Sequence, residues 1–355
     1  MKTTNDNGAG ASSERGRISS RIFTNIGITP VYLFTFTNKN GSSVSITNYG
    51  ATVTAWRSKD RYGKLCDNII GFDDAALYFG DHPHFGSTVG RYANRIAYGK
   101  FELEGRSYQL PVNNGAHHLH GGYKGFDKVV WNATVDEHGK LHLDHLSPDE
   151  EQGYPGNLQV GISFDFTDDE ELIIQYRAKT DAPTILNLTN HCYFDLGGNN
   201  EPILDDLLYI NANQYTPVDA GLIPTGELLP VAHTALDFTT ARKIGEPMPA
   251  GGYDHNYVLN REGTGLQHAA TLQHRSNGKK LEVFTTEPGL QLYTANGLDG
   301  SYHNRNGNAI GAYTAVCLET QHFPDTPNHH HFPSTILFPG KLFRSETVYR
   351  IKTGV

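Results

Sequence analysis

The chain has 355 residues, of which 37% are hydrophobic and 11% aromatic, enough apolar material for a sizeable core. Its 29 basic and 38 acidic residues give a formal net charge of −9, and no dense run of Lys or Arg is present that could follow a phosphate backbone. Nucleic acids and anionic membranes are therefore not expected as partners, and no apolar run approaches the ~20 residues that span a bilayer.

The amino-terminal stretch MKTTNDNGAGASSERGRISSR contains neither the apolar core of a signal peptide nor a myristoylation pattern. We expect residues 1–21 to form a disordered leader and residues 22–355 to form a single domain, because no composition break divides the remainder. Three cysteines, Cys66, Cys192 and Cys317, are an odd number without CxxC spacing. Such cysteines are typical of free thiols in a reducing compartment, so we expect a cytoplasmic protein.

Segments with period-two alternation recur along the chain, separated by clusters of Gly, Asn, Asp and Pro. In order they are VYLFTFT from Val31, VVWNATV from Val129, LQVGISFDF from Leu158, ELIIQYRAKT from Glu171, KLEVFTT from Lys280 and TVYRIKT from Thr347. Only the stretch 73–80 favours a short turn of helix, behind an Asp cap. The pattern predicts an all-β fold, a large antiparallel β-sandwich with very little helix.

Two stretches in the first third carry charged or titratable groups in unusual settings. TVGRYANRIAYGKF places Arg91 and Arg95 among small and apolar residues, where surface cations are the favoured interpretation of the residues alone. In NGAHHLHGGYKGFDK, the HxH spacing of His118 and His120 would put both imidazoles on one face of a strand, as a metal site requires. A cupin-type site would need a carboxylate where Lys124 stands, so we expect no metal.

The stretch TILNLTNHCYFDLGG has two distinct faces when it is read as a strand. The apolar face carries Leu186, Leu188, Cys192, Phe194 and Leu196. The opposite face carries Asn187, Thr189, His191, Tyr193 and Asp195. Because Asn and Asp are poor strand formers, this polar row indicates contact with water or with a polar ligand.

Two acidic residues lie at the start of, or inside, apolar runs later in the chain. Glu319 in YTAVCLETQHFPD would have a raised affinity for protons if it is buried, as a general base requires; an edge-strand surface charge is the alternative. Asp254 in GGYDHNYVLN is either a turn former or one member of a functional set. The run His329–His331 lies between two prolines and predicts a solvated loop.

Together these stretches resemble the aldose 1-epimerase (galactose mutarotase) family. The motifs that carry the resemblance are GRYANRIAYGKFELEG, LHGGYKGFDKVVW, SPDEEQGYPGNLQV, LNLTNHCYFDLGG, YDHNYVL, TTEPGLQLYTANGLDG and CLETQHFPDTPN. They follow the family's order and cover nearly all of the chain after the leader. The resemblance implies a β-sandwich enzyme without cofactor or metal that interconverts the α and β anomers of free aldoses such as galactose and glucose.

The resemblance also implies a role for particular residues. His191 matches the family's general acid, the proton donor, and Glu319 its general base, the proton acceptor. The implied sugar contacts, with Tyr193 added from the polar row, are Asn94, Arg95, His120, Tyr193, Asp254 and Gln291. Cys192 stands where the family usually has a small hydroxyl residue. The alternation of side chains along the strand directs it away from the site, so we expect this difference to have little effect. The expected partner is a small aldose, and the expected assembly is a monomer or weak homodimer.

Two other classes of function use a similar sugar cleft. A glycoside hydrolase would employ two carboxylates, here Asp254 and Glu319, and would release monosaccharide from a disaccharide. A non-catalytic sugar-binding protein could share the fold, although the presence of both His191 and Glu319 argues against it. A relative acting on hexose 6-phosphates would need an additional basic cluster, which the sequence does not indicate.

Overall fold

The computed structural model describes residues 17–80 and 82–354. Within these ranges the regular structure consists of β-strands and short 3-10 helices, without any α-helix, which confirms the predicted all-β class. None of the helices in this part of the chain is long and apolar enough to cross a membrane.

The strands are numbered in chain order. Those of the amino-terminal third are β1 (Arg17–Ile26), β2 (Thr29–Thr37), β3 (Ser43–Thr47), β4 (Thr52–Lys59), β5 (Leu65–Asp67), β6 (Thr88–Val89), β7 (Arg95–Ile96), β8 (Lys100–Leu103), β9 (Arg106–Gln109) and β10 (His118–Leu119). Those of the middle part are β11 (Asn132–Val135), β12 (Leu141–Ser147), β13 (Leu158–Phe166), β14 (Glu171–Thr180), β15 (Thr184–Ile185), β16 (Thr189–Asn190), β17 (Tyr193–Phe194), β18 (Leu207–Ile210), β19 (Ala212–Thr216) and β20 (Leu229–Pro230). The last are β21 (Arg242–Lys243), β22 (Asp254–Leu259), β23 (Gln267–His274), β24 (Lys279–Thr285), β25 (Gly289–Tyr293), β26 (Asp299–His303), β27 (Ala309–Gly311), β28 (Val316–Gln321), β29 (Ile336–Leu337) and β30 (Phe343–Thr353). The 3-10 helices span Ala75–Tyr78, Ala97–Gly99, Phe126–Lys128, Glu151–Gly153, Ile203–Asp205 and Thr326–Asn328.

Three antiparallel sheets dominate the architecture. The largest has the strand order β11-β12-β13-β14-β30-β24-β23-β18-β21, the second β17-β28-β25-β22-β19-β20, and the third β1-β2-β3-β4-β5. One hydrophobic cluster joins them, with Ile162 and Ile174 from the nine-stranded sheet, Leu290 and Leu318 from the six-stranded sheet, and Phe36 from the five-stranded sheet. The core therefore lies between packed sheets, as a sandwich requires.

Most of the predicted elements are present. The runs at 158–166 and 171–180 form β13 and β14 with unchanged bounds, while the run at 129–135 is a strand only over β11. Its first part turns into the core instead, where Trp131 is 1% exposed. The predicted helical turn is the 3-10 helix Ala75–Tyr78, and the Asp74 side chain caps it by accepting a hydrogen bond from the Ala76 N–H at 2.9 Å.

The amino-terminal strand begins earlier than the sequence suggested. β1 pairs with β2 from Arg17 opposite Thr37 to Ile26 opposite Thr29. Residues 17–21 therefore belong to an edge strand, and their assignment to a disordered leader was wrong. The rest of the predicted leader, residues 1–16, lies outside the described residues. That the remainder of the chain is a single domain stays a prediction.

The stretch 184–198 is not one continuous strand. It is divided into β15, β16 and β17, which pair with three different strands, β29, β6 and β28. At the break, the Asn190 side chain donates to the Gly86 carbonyl at 2.9 Å and accepts from the Cys192 N–H at 3.2 Å. The predicted apolar face is nevertheless correct, because all five of its residues belong to the main core cluster.

Candidate active site

The floor of the site is formed by three neighbouring strands of the six-stranded sheet, β22, β25 and β28. Gln291 on β25 lies opposite Glu319 on β28. Because side chains alternate and Leu290 and Leu318 face the core, Gln291 and Glu319 face the other side of the sheet. Asp254 on β22 joins this face by accepting a hydrogen bond from Gln291 Nε2 at 2.6 Å.

His191 lies at the break between β16 and β17. Its N–H donates to the Ser87 carbonyl and its own carbonyl accepts from the Gly86 N–H, both at 2.9 Å. Its ring stacks on Tyr193 with centroids 5.0 Å apart and an interplanar angle of 19°. These contacts direct the imidazole at the floor of the site, where Nε2 lies 3.6 Å from Glu319 Oε1.

Two residues with left-handed backbone conformations form one wall of the site. Asn94 and His120 have φ angles of 63° and 51°, respectively, and each N–H of the pair points at the other residue. The His120 N–H donates to the Asn94 carbonyl, and the Asn94 N–H donates to His120 Nδ1, both at 3.1 Å. Since Nδ1 accepts this bond, a neutral His120 carries its hydrogen on Nε2 and presents a donor. Arg95 follows directly and donates through Nε to Asn114 Oδ1 at 3.3 Å.

These groups enclose a cleft of about 250 Å³. Its lining residues are Pro83, His84, Asn94, Arg95, Leu119, His120, His191, Tyr193, Asp254, Tyr293 and Glu319. Three other cavities among the described residues are larger. Two, of about 600 and 520 Å³, lie along β13 and β14 on the surface of the nine-stranded sheet, and one of about 370 Å³ lies at β8 and β9. The acid and base candidates converge only on the smaller cleft, which we therefore take as the functional site.

Burial displaces the pKa values of His191 and Glu319 in opposite directions. Burial, followed by the charge of Asp254, raises the pKa of Glu319 well above its ordinary value, while Arg95 acts to lower it. Burial and then the neighbouring His84 lower the pKa of His191 to about 3. Low polarity disfavours both charged forms, but at 3.6 Å the ionised pair is also mutually attractive. Whether both groups are neutral or both are ionised, the pair holds one transferable proton. One group can therefore donate a proton and the other can accept one.

The same side chains could also hold a metal ion. His120, His191 and Glu319 each offer one ligand atom, and these atoms lie within 4.8 Å of one another. His118 cannot join them, because its Nδ1 contacts the Pro111 carbonyl at 2.7 Å and its Nε2 the Tyr154 hydroxyl at 2.6 Å. The expectation that the HxH pair shares one face was therefore wrong, since β10 ends before His120. The expectation of no metal stays a prediction.

Comparison with known proteins assigns the chain to a family. The sequence profile described as aldose 1-epimerase matches residues 32–350 of this chain. The chain belongs to the aldose 1-epimerase family. It is 43% identical over 308 residues to a galactose mutarotase of Sus scrofa, covering 86% of this chain and 89% of that protein.

More distant members of the epimerase family give the same result. An aldose 1-epimerase of Escherichia coli is 35% identical over 331 residues, which cover 90% of this chain and 95% of that protein. The solved structure of a galactose 1-epimerase from Lactobacillus acidophilus superposes with a TM-score of 0.84 at 29% identity, covering 96% of this chain and 100% of that one. The similarity extends over nearly the whole length of each protein.

Most of the site residues predicted from the sequence lie together in the structure. Seven of the eight line the cleft, namely Asn94, Arg95, His120, His191, Tyr193, Asp254 and Glu319. Gln291 is 4% exposed and is not among the lining residues; it contacts Asp254 instead. Cys192 belongs to the main core cluster, as the alternation of side chains along the strand predicted.

Sequence reasoning was wrong about Arg91 and did not find His84. Arg91 is only 2% exposed and binds the carbonyls of the loop 147–156, so it is not a surface cation. His84 lines the cleft beside His191. The sequence gives little indication that His84 belongs to the site. HPHF is a short loop sequence that lacks strand alternation and lies outside the motifs that carry the family resemblance.

Proposed function

We propose that this protein is an aldose 1-epimerase that interconverts the α and β anomers of free aldohexoses such as galactose and glucose. The observation that carries the proposal is the pairing of His191 and Glu319, 3.6 Å apart, in a polar cleft of an epimerase-family fold. Anomer exchange requires opening a cyclic hemiacetal, which needs one proton acceptor and one proton donor. This pair supplies both.

The reaction proceeds by proton transfer and bond rotation. Glu319 accepts the proton of the C1 hydroxyl while His191 donates a proton to the ring oxygen, and the bond between C1 and the ring oxygen breaks to leave an open-chain aldehyde. Rotation about the C1–C2 bond turns the other carbonyl face toward the C5 hydroxyl. The ring then recloses, with His191 accepting the C5 hydroxyl proton and Glu319 returning its proton to the C1 oxygen.

The remaining cleft residues bind the sugar. Arg95 donates to oxygen atoms and acts to lower the pKa of Glu319, which favours the carboxylate that the reaction needs. Asn94, His120 and Tyr193 add hydrogen-bonding groups for hydroxyls that lose their water on binding. Asp254 accepts from sugar hydroxyls through the carboxylate that Gln291 holds in place. Gln291 thus acts as a positioning residue for Asp254 rather than as a direct sugar contact.

We also propose a cytoplasmic location and an assembly no larger than a weak homodimer. The three cysteines are free thiols, two of them buried, which agrees with a reducing compartment. The expected partner is a small aldose rather than a nucleic acid or a membrane.

Polarimetry tests the proposed activity. Freshly dissolved α-galactose and α-glucose should reach their equilibrium rotation faster in the presence of the protein than in buffer. Incubation with lactose is the control for a hydrolase, since an epimerase releases no monosaccharide from it. An unchanged rate of mutarotation, or release of monosaccharide, would contradict the proposal.

A further inference from the structure

A third imidazole stands in the cleft beside His120 and His191. His84 lines the same cavity as Glu319, and its side chain is 21% exposed, so it is not a core residue. Its ring lies edge-on to His120 with centroids 4.7 Å apart, and nearly parallel to His191 with centroids 6.0 Å apart and an angle of 27°. A sugar bound against His191 would therefore lie close to His84.

A buried carboxylate fixes the orientation of this ring. His84 Nδ1 lies 3.1 Å from Asp127 Oδ2, on the 3-10 helix Phe126–Lys128, and Asp127 is 2% exposed. Burial acts to raise the pKa of Asp127, but the charge and hydrogen bond of His84, with Lys128, leave that pKa below its ordinary value. An ionised Asp127 only accepts hydrogen bonds, so Nδ1 of His84 carries the hydrogen.

The other ring nitrogen is left for a ligand. His84 has a φ angle of 57°, a left-handed conformation that is strained for a residue other than glycine and that persists only where surrounding contacts enforce it. No hydrogen bond joins Nε2 to any residue in the described ranges. The fixed ring thus presents a polar atom to a cleft whose ligand carries many hydroxyls.

We propose that His84, oriented by Asp127, is a further sugar-binding residue of this site and hydrogen-bonds a hydroxyl of the aldose through Nε2. The inference rests on the proposed function, because it takes the ligand of the cleft to be an aldose. Asp127 does not line the cleft and acts as a positioning residue. The arrangement resembles the carboxylate that orients histidine in many enzyme sites.

Three variants separate sugar binding from packing. His84→Phe keeps a ring but removes both nitrogens, and His84→Gln keeps a polar atom near the position of Nε2. Asp127→Asn keeps size but weakens the orientation of His84. The matched control is His142→Phe, because His142 also pairs with a carboxylate, Asp136 at 2.9 Å, but lies on β12 outside the cleft.

The measurements are polarimetric kcat and KM for galactose and glucose, calorimetric sugar binding, and a thermal melt. We expect His84→Phe to raise KM and the dissociation constant roughly 10-fold, the worth of one hydrogen bond, with kcat changed less than ~3-fold. His84→Gln should recover part of the affinity, and Asp127→Asn should lose part of it. The His142→Phe variant should match the wild type.

Two results would overturn the inference. One is a folded His84→Phe variant with KM and dissociation constant within about 2-fold of wild type. If His84→Phe does not fold, a folded His84→Ala variant, which also lacks both ring nitrogens, with unchanged binding decides against the inference in the same way. The other is a fall in kcat with unchanged binding, since His84 would then act on chemistry through His191. Failure of the proposed function is distinguishable, because the wild-type protein itself would then not accelerate mutarotation.

Discussion

His191 Nε2 lies 3.6 Å from Glu319 Oε1, although the two residues are only 5% and 2% exposed. The separation is longer than a strong hydrogen bond, as is common for catalytic groups before substrate binds. Two different parts of the chain provide this contact: a broken strand aims the imidazole, and a regular strand places the carboxylate. Both groups can therefore reach one small substrate.

Replacement of the acid should abolish most of the turnover. His191→Asn keeps a polar side chain but cannot carry an additional proton, so we expect kcat to fall by roughly 10²-fold or more with the fold retained. Polarimetry on galactose beside a thermal melt checks this, with His330→Asn, at an exposed loop position, as the control. Near-normal turnover in the folded variant would reduce His191 to a polar strand residue.

The alkaline limb of the pH profile should move in opposite directions in two variants. The pair is competent only while it holds one proton between His191 and Glu319, so kcat/KM falls as pH increases through the raised pKa of Glu319. The negative charge of Asp254 helps to raise that pKa and the positive charge of Arg95 lowers it. Asp254→Asn should therefore shift the alkaline limb to lower pH, and Arg95→Gln should shift it to higher pH.

Both variants remove a sugar contact, so their absolute rates should also fall. The position of the limb is the informative quantity, since a general loss of binding lowers the whole profile without moving it. Shifts of the same sign in the two variants would contradict the assignment of Glu319 as the titrating base.

Removal of metal ions should leave the activity intact. His120, His191 and Glu319 are close enough to bind a cation, but proton transfer needs them free. Dialysis against EDTA, followed by polarimetry in metal-free buffer, should give the original kcat. Loss of activity that zinc or another divalent ion restores would mean that these three residues are metal ligands.

Arg91 should matter for stability rather than for binding. Its guanidinium donates to the carbonyls of Ser147 and Pro148, both at 2.8 Å, and to those of Pro155 and Gly156 at 3.1 and 2.9 Å. Burial lowers the pKa of Arg91 to about 10, which still leaves it charged at neutral pH. Arg91→Met would leave these buried carbonyls unsatisfied and should reduce the free energy of unfolding by roughly 3 kcal/mol or more.

Denaturant unfolding measures this effect, and Arg177→Met is the matched control. Arg177 forms an ion pair with Asp144 at 2.8 Å, but its side chain is 54% exposed. Exposed pairs contribute ~1 kcal/mol or less, so the control should change stability little. An equal decrease in the free energy of unfolding in the two variants would show that the buried contacts of Arg91 stabilise the fold no more than an exposed ion pair does.

The site residues that lie on regular strands could be predicted from sequence, because the alternation of side chains along a strand fixes which of them share a face. Glu319 and Asp254 stand in regular strands, so their position on the face opposite the core follows from the pattern of their neighbours. The polar row with His191 was also recognisable, although the breaks in its strand depend on Asn190 and Gly86, which are distant in sequence.

Residues in irregular loops could not be placed in this way. Arg91 is buried because a loop more than 50 residues later folds over it, and no local pattern records that contact. His84 enters the cleft through a left-handed backbone conformation and a carboxylate 43 residues away. Long-range contacts of this kind are settled by packing rather than by local sequence preference.

Substitution of Glu319 tests the central claim most directly. Glu319→Gln keeps the size of the side chain but removes its ability to accept the C1 hydroxyl proton, whereas Glu319→Asp keeps the carboxylate and serves as the partial control. The measurement is polarimetric kcat and KM on galactose beside a thermal melt. We predict a fall in kcat of ~10²–10⁴-fold for Glu319→Gln, with a much smaller change in KM because the sugar contacts remain, and a milder loss for Glu319→Asp. A folded Glu319→Gln variant with wild-type kcat would show that Glu319 is not the base and would contradict the proposed roles.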